Sequence, residues 1–410
     1  MLSAHAVEIV RSTLPVIGAR IDEITPIFYR RMFAAHPELE RDLFNRGNQA
    51  QGDQQRALAG AIAAYAGLVV NHDAPEVDAL LSRIAHKHAS LGISPEQYPI
   101  VHRHLFEAIA QVLGDAATPE VVEAWDELYW DMAHALIRIE QGLYARFGVE
   151  PDEVWQELVV TERRHESADT VAFIVARPDG ESLPGSLPGQ YVSVQVTLPD
   201  GARQIRQYSL TSSPDSPTWR FTVKAVRATD LDGSPIPAGE VSNFLHDDVF
   251  EGDSLRVSLP FGDLVLEGGD DPVLLVSAGI GCTPIIGMLH HLAEEGTDRQ
   301  VTVMHADQSP ARHAHRRELA ELVGRIDDAR LHHWYEDLGS RRMTETVRQG
   351  RMHLEEEHID PDAHVYLCGP LPFMEVVRAQ LAEQGVPETH IHYEVFGPDT
   401  WVPHAEPAAV

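Results

Sequence analysis

The tetrapeptide Arg206-Gln207-Tyr208-Ser209 puts an arginine, an aromatic ring and a hydroxyl on one short segment. In an extended strand Arg206 and Tyr208 share a face. A guanidinium there can grip a pyrophosphate with two parallel hydrogen bonds. A tyrosine ring can cover a flat heterocycle, and a serine hydroxyl can hydrogen-bond a ring nitrogen. An ordinary barrel strand with an exposed arginine would use the same residue types. A second candidate, Gly279-Ile280-Gly281-Cys282-Thr283-Pro284, follows an apolar run and opens a helical stretch. Its glycines permit a tight turn, and a helix N-terminus offers unpaired N–H groups to a phosphate. Pro284 stands where the GxGxxG fingerprint has its third glycine, so the segment is not that motif. The third candidate is His88. Val77, Leu81, Ile84, His88 and Leu91 recur at steps of four and three along one helix face, whereas Lys87 and Ala89 fall off it. A core histidine would occupy the same stripe as a ligand.

Three kinds of element must position these groups. Up to about residue 148 the pattern is helical, and around Gly148-Val149-Glu150-Pro151-Asp152 it changes to strand-like alternation. Val192, Val194 and Val196 alternate with Ser193, Gln195 and Thr197, and Phe221 and Val223 alternate with Arg220, Thr222 and Lys224. A period of two marks half-buried antiparallel strands, here of a small barrel. Beyond Phe261-Gly262-Asp263 come the short apolar runs Val273–Val276, Val301–Met304 and Val365–Leu367, separated by helical stretches. Such runs suit parallel strands covered on both faces. The expected fold is multidomain: all-α over 1–148, an antiparallel β-barrel over 154–264, and an α/β parallel sheet over 270–400. Arg227 to Pro237 reads as a surface loop, and the residues after Trp401 as a tail.

A chain of 410 residues exceeds what one hydrophobic core organises, which also predicts two or three domains. The formal net charge of -31 argues against nucleic acid or an anionic membrane as partner, because both demand a basic surface. Two cysteines make no disulfide framework and fit a reducing compartment. With no apolar stretch long enough to span a bilayer, a cytoplasmic location is expected. The histidine pairs His86/His88 and His102/His104 sit at i, i+2, on different helix faces, which makes them poor metal pairs. His305, His313 and His315 offer no convincing ligand set either.

The order of short motifs carries a resemblance. Pro188-Gly189-Gln190-Tyr191 precedes the tetrapeptide, and Gly239 to His246 (GEVSNFLH) follows it; Cys368-Gly369-Pro370 and Tyr393 to Pro398 (YEVFGP) come later. In this order they resemble the ferredoxin–NADP reductase family. That implies FAD contacts from Tyr191, Arg206, Gln207, Tyr208 and Ser209, and from the turn bearing Gly239, Val241 and Ser242. It implies a loop at the nicotinamide pyrophosphate made of Gly279, Ile280, Gly281, Cys282, Thr283 and Pro284, with the Cys368–Pro370 turn near the nicotinamide. Glu394, Val395, Phe396, Gly397 and Pro398 would wall the flavin. The family often has Cys at the position of Val395 and Gln at that of Cys282. Cys282 and Cys368 could be imagined as a redox pair, but buried packing is the expectation.

The helical part resembles a globin. Tyr29 sits in IFYRRMF, Phe44 follows the turn at His36-Pro37-Glu38-Leu39, Gln54 leads Leu58, Ile62 and Tyr65 along one face, and His88 comes after them. With the reductase motifs behind it, the whole chain resembles a flavohaemoglobin. The resemblance implies haem b with His88 on the iron, and Tyr98 and Glu140 as a proximal network behind it. It also implies Tyr29 and Gln54 as donors to bound oxygen, with Phe44 and Lys87 beside the haem. The implied activity is nitric oxide dioxygenation, with NAD(P)H reducing FAD and FAD reducing the haem. O2 and nitric oxide would be the small-molecule partners of a monomer. Two rival readings stay open: an oxygen or nitric oxide sensor reset by its reductase half, and a plain flavin reductase with a non-haem helical module.

Overall fold

The computed structural model describes residues 2–71, 74–231, 234–355 and 357–397. They fall into two compact units: one holds those of Met1–Gln156 together with Gln195–Ile205, the other Glu157–Val194 and Arg206–Gly397.

The first unit is built from α1 (Ala4–Ala19), α2 (Ile21–Ala35), α3 (Pro37–Asp42), α4 (Arg46–Gln51), α5 (Asp53–Asn71), α6 (Ala74–Leu91), α7 (Tyr98–Leu113) and α8 (Pro119–Phe147). The sequence fixes both ends of α8. The Thr118 side chain accepts from the Val121 N–H, Pro119 takes the first turn, and Gly148 closes the helix at φ 65. Along α8 the buried residues Trp125, Leu128, Leu136, Glu140 and Leu143 recur on one face. α2 packs on α7, and α1 and α6 pack on α8. Between α6 and α7 the chain turns at Gly92 (φ 75), where a Cβ would stand 2.5 Å from the Pro151 carbonyl oxygen. Only glycine fits there, and the turn sets His88 on α6 opposite Tyr98 on α7.

In the barrel part, a six-stranded antiparallel sheet runs β4-β3-β8-β1-β2-β5. Its strands are β1 (Trp155–Ser167), β2 (Thr170–Ala176), β3 (Tyr191–Thr197), β4 (Arg203–Ser209), β5 (Trp219–Lys224) and β8 (Ser254–Ser258). The segment expected as a bare loop after Arg227 differs from that expectation. Thr229–Leu231 (β6) pairs antiparallel with Ser234–Ile236 (β7) as a small separate ladder. Helix α9 (Glu240–Asp248) follows.

The last part is a six-stranded sheet of order β12-β11-β10-β9-β13-β14 whose pairs are all parallel. Its strands are β9 (Val273–Ala278), β10 (Val301–Asp307), β11 (Ala329–Tyr335), β12 (Val347–Gln349), β13 (His364–Cys368) and β14 (Ile391–Glu394). Helices α10 (Cys282–Glu295), α11 (Arg316–Val323) and α12 (Leu371–Glu383) alternate with them. Val273, Leu275, Val301 and Val303 meet Ile285, Leu289 and Leu322 in one core. The succession is therefore helical, then antiparallel sheet, then parallel sheet. No helix among the described residues is long and apolar enough to cross a membrane.

Candidate functional site

Three helices converge on His88. Its Nδ1 lies 2.8 Å from Glu140 Oε1 and 3.2 Å from the Tyr98 hydroxyl, and that hydroxyl donates to the same Glu140 oxygen at 2.6 Å. Glu140 is 1% exposed, so it is an interior acid rather than a solvated one. Its Oε2 is buried with no hydrogen-bond partner. Burial first, and then the Glu140 charge, push the Tyr98 hydroxyl far above its ordinary range, so it stays a donor. With a carboxylate at Nδ1, the proton belongs on that nitrogen and the Nε2 lone pair is left to bind. No described residue takes Nε2 as a partner. A half-buried imidazole with its rear nitrogen held by a buried carboxylate is the donor set that suits an axial haem ligand.

Tyr29 lies on α2 and is 4% exposed. Its hydroxyl is hydrogen-bonded to the Gln54 side chain, and burial pushes its pKa far up. The ring of Phe44 meets that of Tyr29 edge-on at 5.9 Å, and Phe33 lies 5.6 Å from Tyr29 on the same helix. These rings make an apolar enclosure around two polar groups that point at each other. Lys87 is exposed, one residue before His88.

On β4, Arg206 is half-buried and Tyr208 stacks on Phe221 with centroids 5.7 Å apart. The Gln207 amide donates to Ser193 Oγ at 3.0 Å. Ser209 is buried and its Oγ has no partner. A buried hydroxyl left unpaired costs stability unless something else satisfies it. That orphan fits a bound flavin. Gly239 leads into α9, where Val241 is buried and Ser242 Oγ accepts from the Val226 N–H at 3.3 Å. Tyr191 is also buried, 6% exposed, with its ring against Gly262. Glu394 ends β14 in register with Cys368, Phe396 is exposed, and Val395 O accepts from the Gly397 N–H at 3.0 Å. Pro398 lies outside the described residues.

Strand order explains the remaining pair of turns. From β9 the chain builds outward through β10, β11 and β12 on one side, while β13 and β14 lie on the other. Ligands of open parallel sheets bind where the order reverses, at the carboxyl ends of the strands. Gly279–Gly281 follows β9 and Cys368-Gly369-Pro370 follows β13, so both turns flank that crevice. A Cβ on Gly281 would stand 2.4 Å from the Cys368 carbonyl oxygen. Ile280 O accepts from the Thr283 hydroxyl at 3.0 Å, and Pro284 is buried in the first turn of α10. Both cysteines are fully buried and unbridged. Burial pushes both thiols up, away from the reactive thiolate.

The globin family profile matches residues 27–136, the oxidoreductase FAD-binding domain 157–265, and the oxidoreductase NAD-binding domain 275–379. The flavohemoprotein of Bordetella pertussis is 42% identical over 408 residues, covering 97% of this chain and 99% of that relative. The chain belongs to the flavohemoprotein family. The flavohemoprotein of Rhizobium meliloti is 38% identical over the same share of each chain. A crystal structure of flavohemoglobin from Malassezia yamatoensis with bound FAD and heme superposes with TM-score 0.86 at 36% identity, covering 97% of this chain and 100% of that one. The flavohem-like FAD/NAD binding domain of a nitric oxide dioxygenase from Vibrio cholerae gives TM-score 0.54 at 36% identity, over 59% of this chain and 99% of that one. This flavohemoprotein is thus an oxidoreductase whose cofactors are haem, FAD and a nicotinamide dinucleotide.

Two polar clusters are not among the motifs. Glu318 on α11 binds Arg220 of β5, His290 of α10 at 2.8 Å and His315 at 2.8 Å, and His315 reaches Thr222 at 2.8 Å. Glu267, His364 and His392 form the second. Helix packing assembles the first around Glu318, and the β13–β14 pairing brings His364 and His392 of the second together. The i, i+2 histidines behave differently: His102 Nε2 meets Asp126 at 2.7 Å, and His104 is buried.

Proposed function

We propose that this flavohemoprotein is a nitric oxide dioxygenase, in which two nitric oxides and two O2 take the two electrons of one NAD(P)H and leave as two nitrates. The observation that carries the reading is the buried Glu140–His88–Tyr98 network. FAD, when bound, splits a hydride into single electrons, and haem supplies the iron that accepts them one at a time and carries oxygen.

The chain's own residues have separable tasks. Glu140 holds the Nδ1 proton of His88 and makes its imidazole a stronger electron donor, which favours oxygen chemistry over simple oxygen storage. Tyr98 fixes the Glu140 oxygen that does this. Tyr29 and Gln54, in an apolar enclosure, serve as hydrogen-bond donors to oxygen and keep other water out. Arg206 would hold the FAD pyrophosphate, with Tyr208, Tyr191, Ser209 and Ser242 as the residues that would hold the flavin. Gly279 to Pro284 receives the nicotinamide pyrophosphate on backbone N–H groups, with Cys282 as a packing residue. Phe44 and Lys87 would border the haem, and Glu394 to Gly397 would border the flavin. The likeness to the reductase domain of a Vibrio cholerae nitric oxide dioxygenase supports the same reading.

The test uses cofactor-replete protein with NAD(P)H. Under nitrogen, flavin bleaching must be followed by the ferrous shift of the Soret band. With O2 and nitric oxide added, nitrate must form at two per nicotinamide oxidised. Nitric oxide loss without nitrate, or without nicotinamide consumption, sinks the proposal.

A further inference from the structure

We propose that Glu267, His364 and His392 form a site for a zinc-like divalent cation at the edge of the parallel sheet. His364 opens β13, and His392 on β14 pairs with Tyr366. Paired residues of parallel strands share a face, and His364 precedes Tyr366 by two, so both imidazoles project from one side. His364 Nδ1 is 3.1 Å from His392 Nε2 and 3.6 Å from Glu267 Oε2. All three ligand atoms lie within 4.8 Å of one another. Tetrahedral zinc with its usual bond lengths holds neighbouring ligand atoms about 3.3 Å apart. The observed spacing therefore brackets that of a bound ion.

The surroundings hold these groups in place. The His390 ring stacks on His364 at 4.6 Å, and Tyr366 stacks on His392 at 4.8 Å, each within 14° of parallel. The Glu267 N–H donates to the Tyr366 hydroxyl at 2.8 Å. Its carbonyl accepts from Arg299 Nη1 at 2.7 Å, and Arg299 is itself buried and also bonds the Asp271 carbonyl at 2.6 Å. Asp271 Oδ2 stands 3.9 Å from His364 Nε2, the nitrogen that would face away from the ion. At that distance the carboxylate makes no hydrogen bond to the imidazole. Two imidazoles and one carboxylate suit zinc and neighbouring transition ions better than magnesium or calcium. Glu267 is exposed and the histidines are half-buried, so solvent can supply a fourth ligand. Glu267 also belongs to the segment joining Leu266 to β9, so a bound ion fastens that connection to β13 and β14.

The experiment is calorimetric titration of cofactor-replete protein with zinc chloride, and separately with magnesium chloride. With 23 histidines in the chain, the reading is the difference between proteins rather than the total uptake. Wild type is expected to bind one zinc equivalent more than His364→Ala and His392→Ala, and no magnesium at that site. Haem and flavin absorbance report that each variant is folded. If the alanine variants lose cofactors, Glu267→Gln on the exposed side chain takes their place with the same expected loss. Equal zinc uptake in wild type and variants overturns the site and leaves His364 and His392 as a hydrogen-bonded pair.

Discussion

His88 Nδ1 stands 2.8 Å from Glu140 Oε1, and the second oxygen of that carboxylate is buried with no partner. The acid is thus committed to His88 and Tyr98. Glu140→Gln keeps shape and volume but removes the charge behind the imidazole. The haem midpoint potential is expected to rise, because the weaker donor no longer favours ferric iron. Nitric oxide turnover is expected to fall about 10- to 100-fold with haem content retained. Spectroelectrochemistry and nitric oxide consumption read both; an unmoved potential would leave Glu140 a structural residue only.

Tyr29 and Gln54 are hydrogen-bonded to each other in a mostly aromatic enclosure. Tyr29→Phe removes one donor and leaves the amide. One neutral hydrogen bond is worth about 1 kcal/mol, or roughly a fivefold change. The oxygen off-rate, measured by stopped flow, is expected to rise by about that factor. An off-rate equal to wild type would argue that Tyr29 only packs.

Ser209 offers a test with opposite signs in two states. Its buried, unpartnered Oγ costs about 1–3 kcal/mol in protein stripped of FAD. Ser209→Ala is expected to raise the melting temperature of the stripped protein and to weaken FAD binding about fivefold. A variant that loses stability in the stripped form, or binds FAD unchanged, would remove Ser209 from the flavin site.

The sequence made the three architectures legible wherever the pattern was strong. Val273–Val276 and Val365–Leu367 are strands as read, because parallel strands bury both faces. β11 carries no clear strand pattern, because His332 and His333 interrupt what would be an apolar run in Ala329–Tyr335. β6 and β7 leave no pattern in the sequence because each has three residues, too few for a period. His88 stands out by its place on an apolar helix face, and Tyr98 and Glu140 by resemblance, yet the sharing of one Glu140 oxygen needs three helices to be packed. The His364–His392 pair had no sequence signal at all, since strand pairing alone joins them.

Gly281 and Gly279 look alike in sequence and differ in space. Gly281 has φ -61, which any residue adopts, but its Cβ would clash with the Cys368 carbonyl at 2.4 Å. Gly279 has φ 55 and nothing within 4 Å. Gly281→Ala must therefore push the two turns apart, at about 1–3 kcal/mol for overpacking. The KM for NAD(P)H is expected to rise about tenfold with haem and flavin retained. Gly279→Asn, a residue that tolerates the left-handed region, is expected to change KM little. If the two variants behave alike, the close approach is not what matters.

His333 carries the pH prediction. Burial first, then the charges of His305, Arg316 and His332, push its pKa down from 6.5 to about 4. His313 and Tyr335 also face it, with ring centroids 5.3 and 5.6 Å away. The folded state binds this proton more weakly than the unfolded chain does. Stability from neutral His333 is therefore complete above about pH 6.5, and is lost as pH falls towards 4. At pH 5 the loss is about 2 kcal/mol. His333→Phe keeps a ring against Tyr335 and cannot titrate. Urea unfolding at pH 7.5 and at pH 5 is expected to show the variant losing about 2 kcal/mol less than wild type between the two. His313, pushed down further by burial, stays titratable in both proteins, so an acid-side decline remains in each. Identical pH dependence in the two proteins would mean that His333 is already charged, or already solvated, in the folded state.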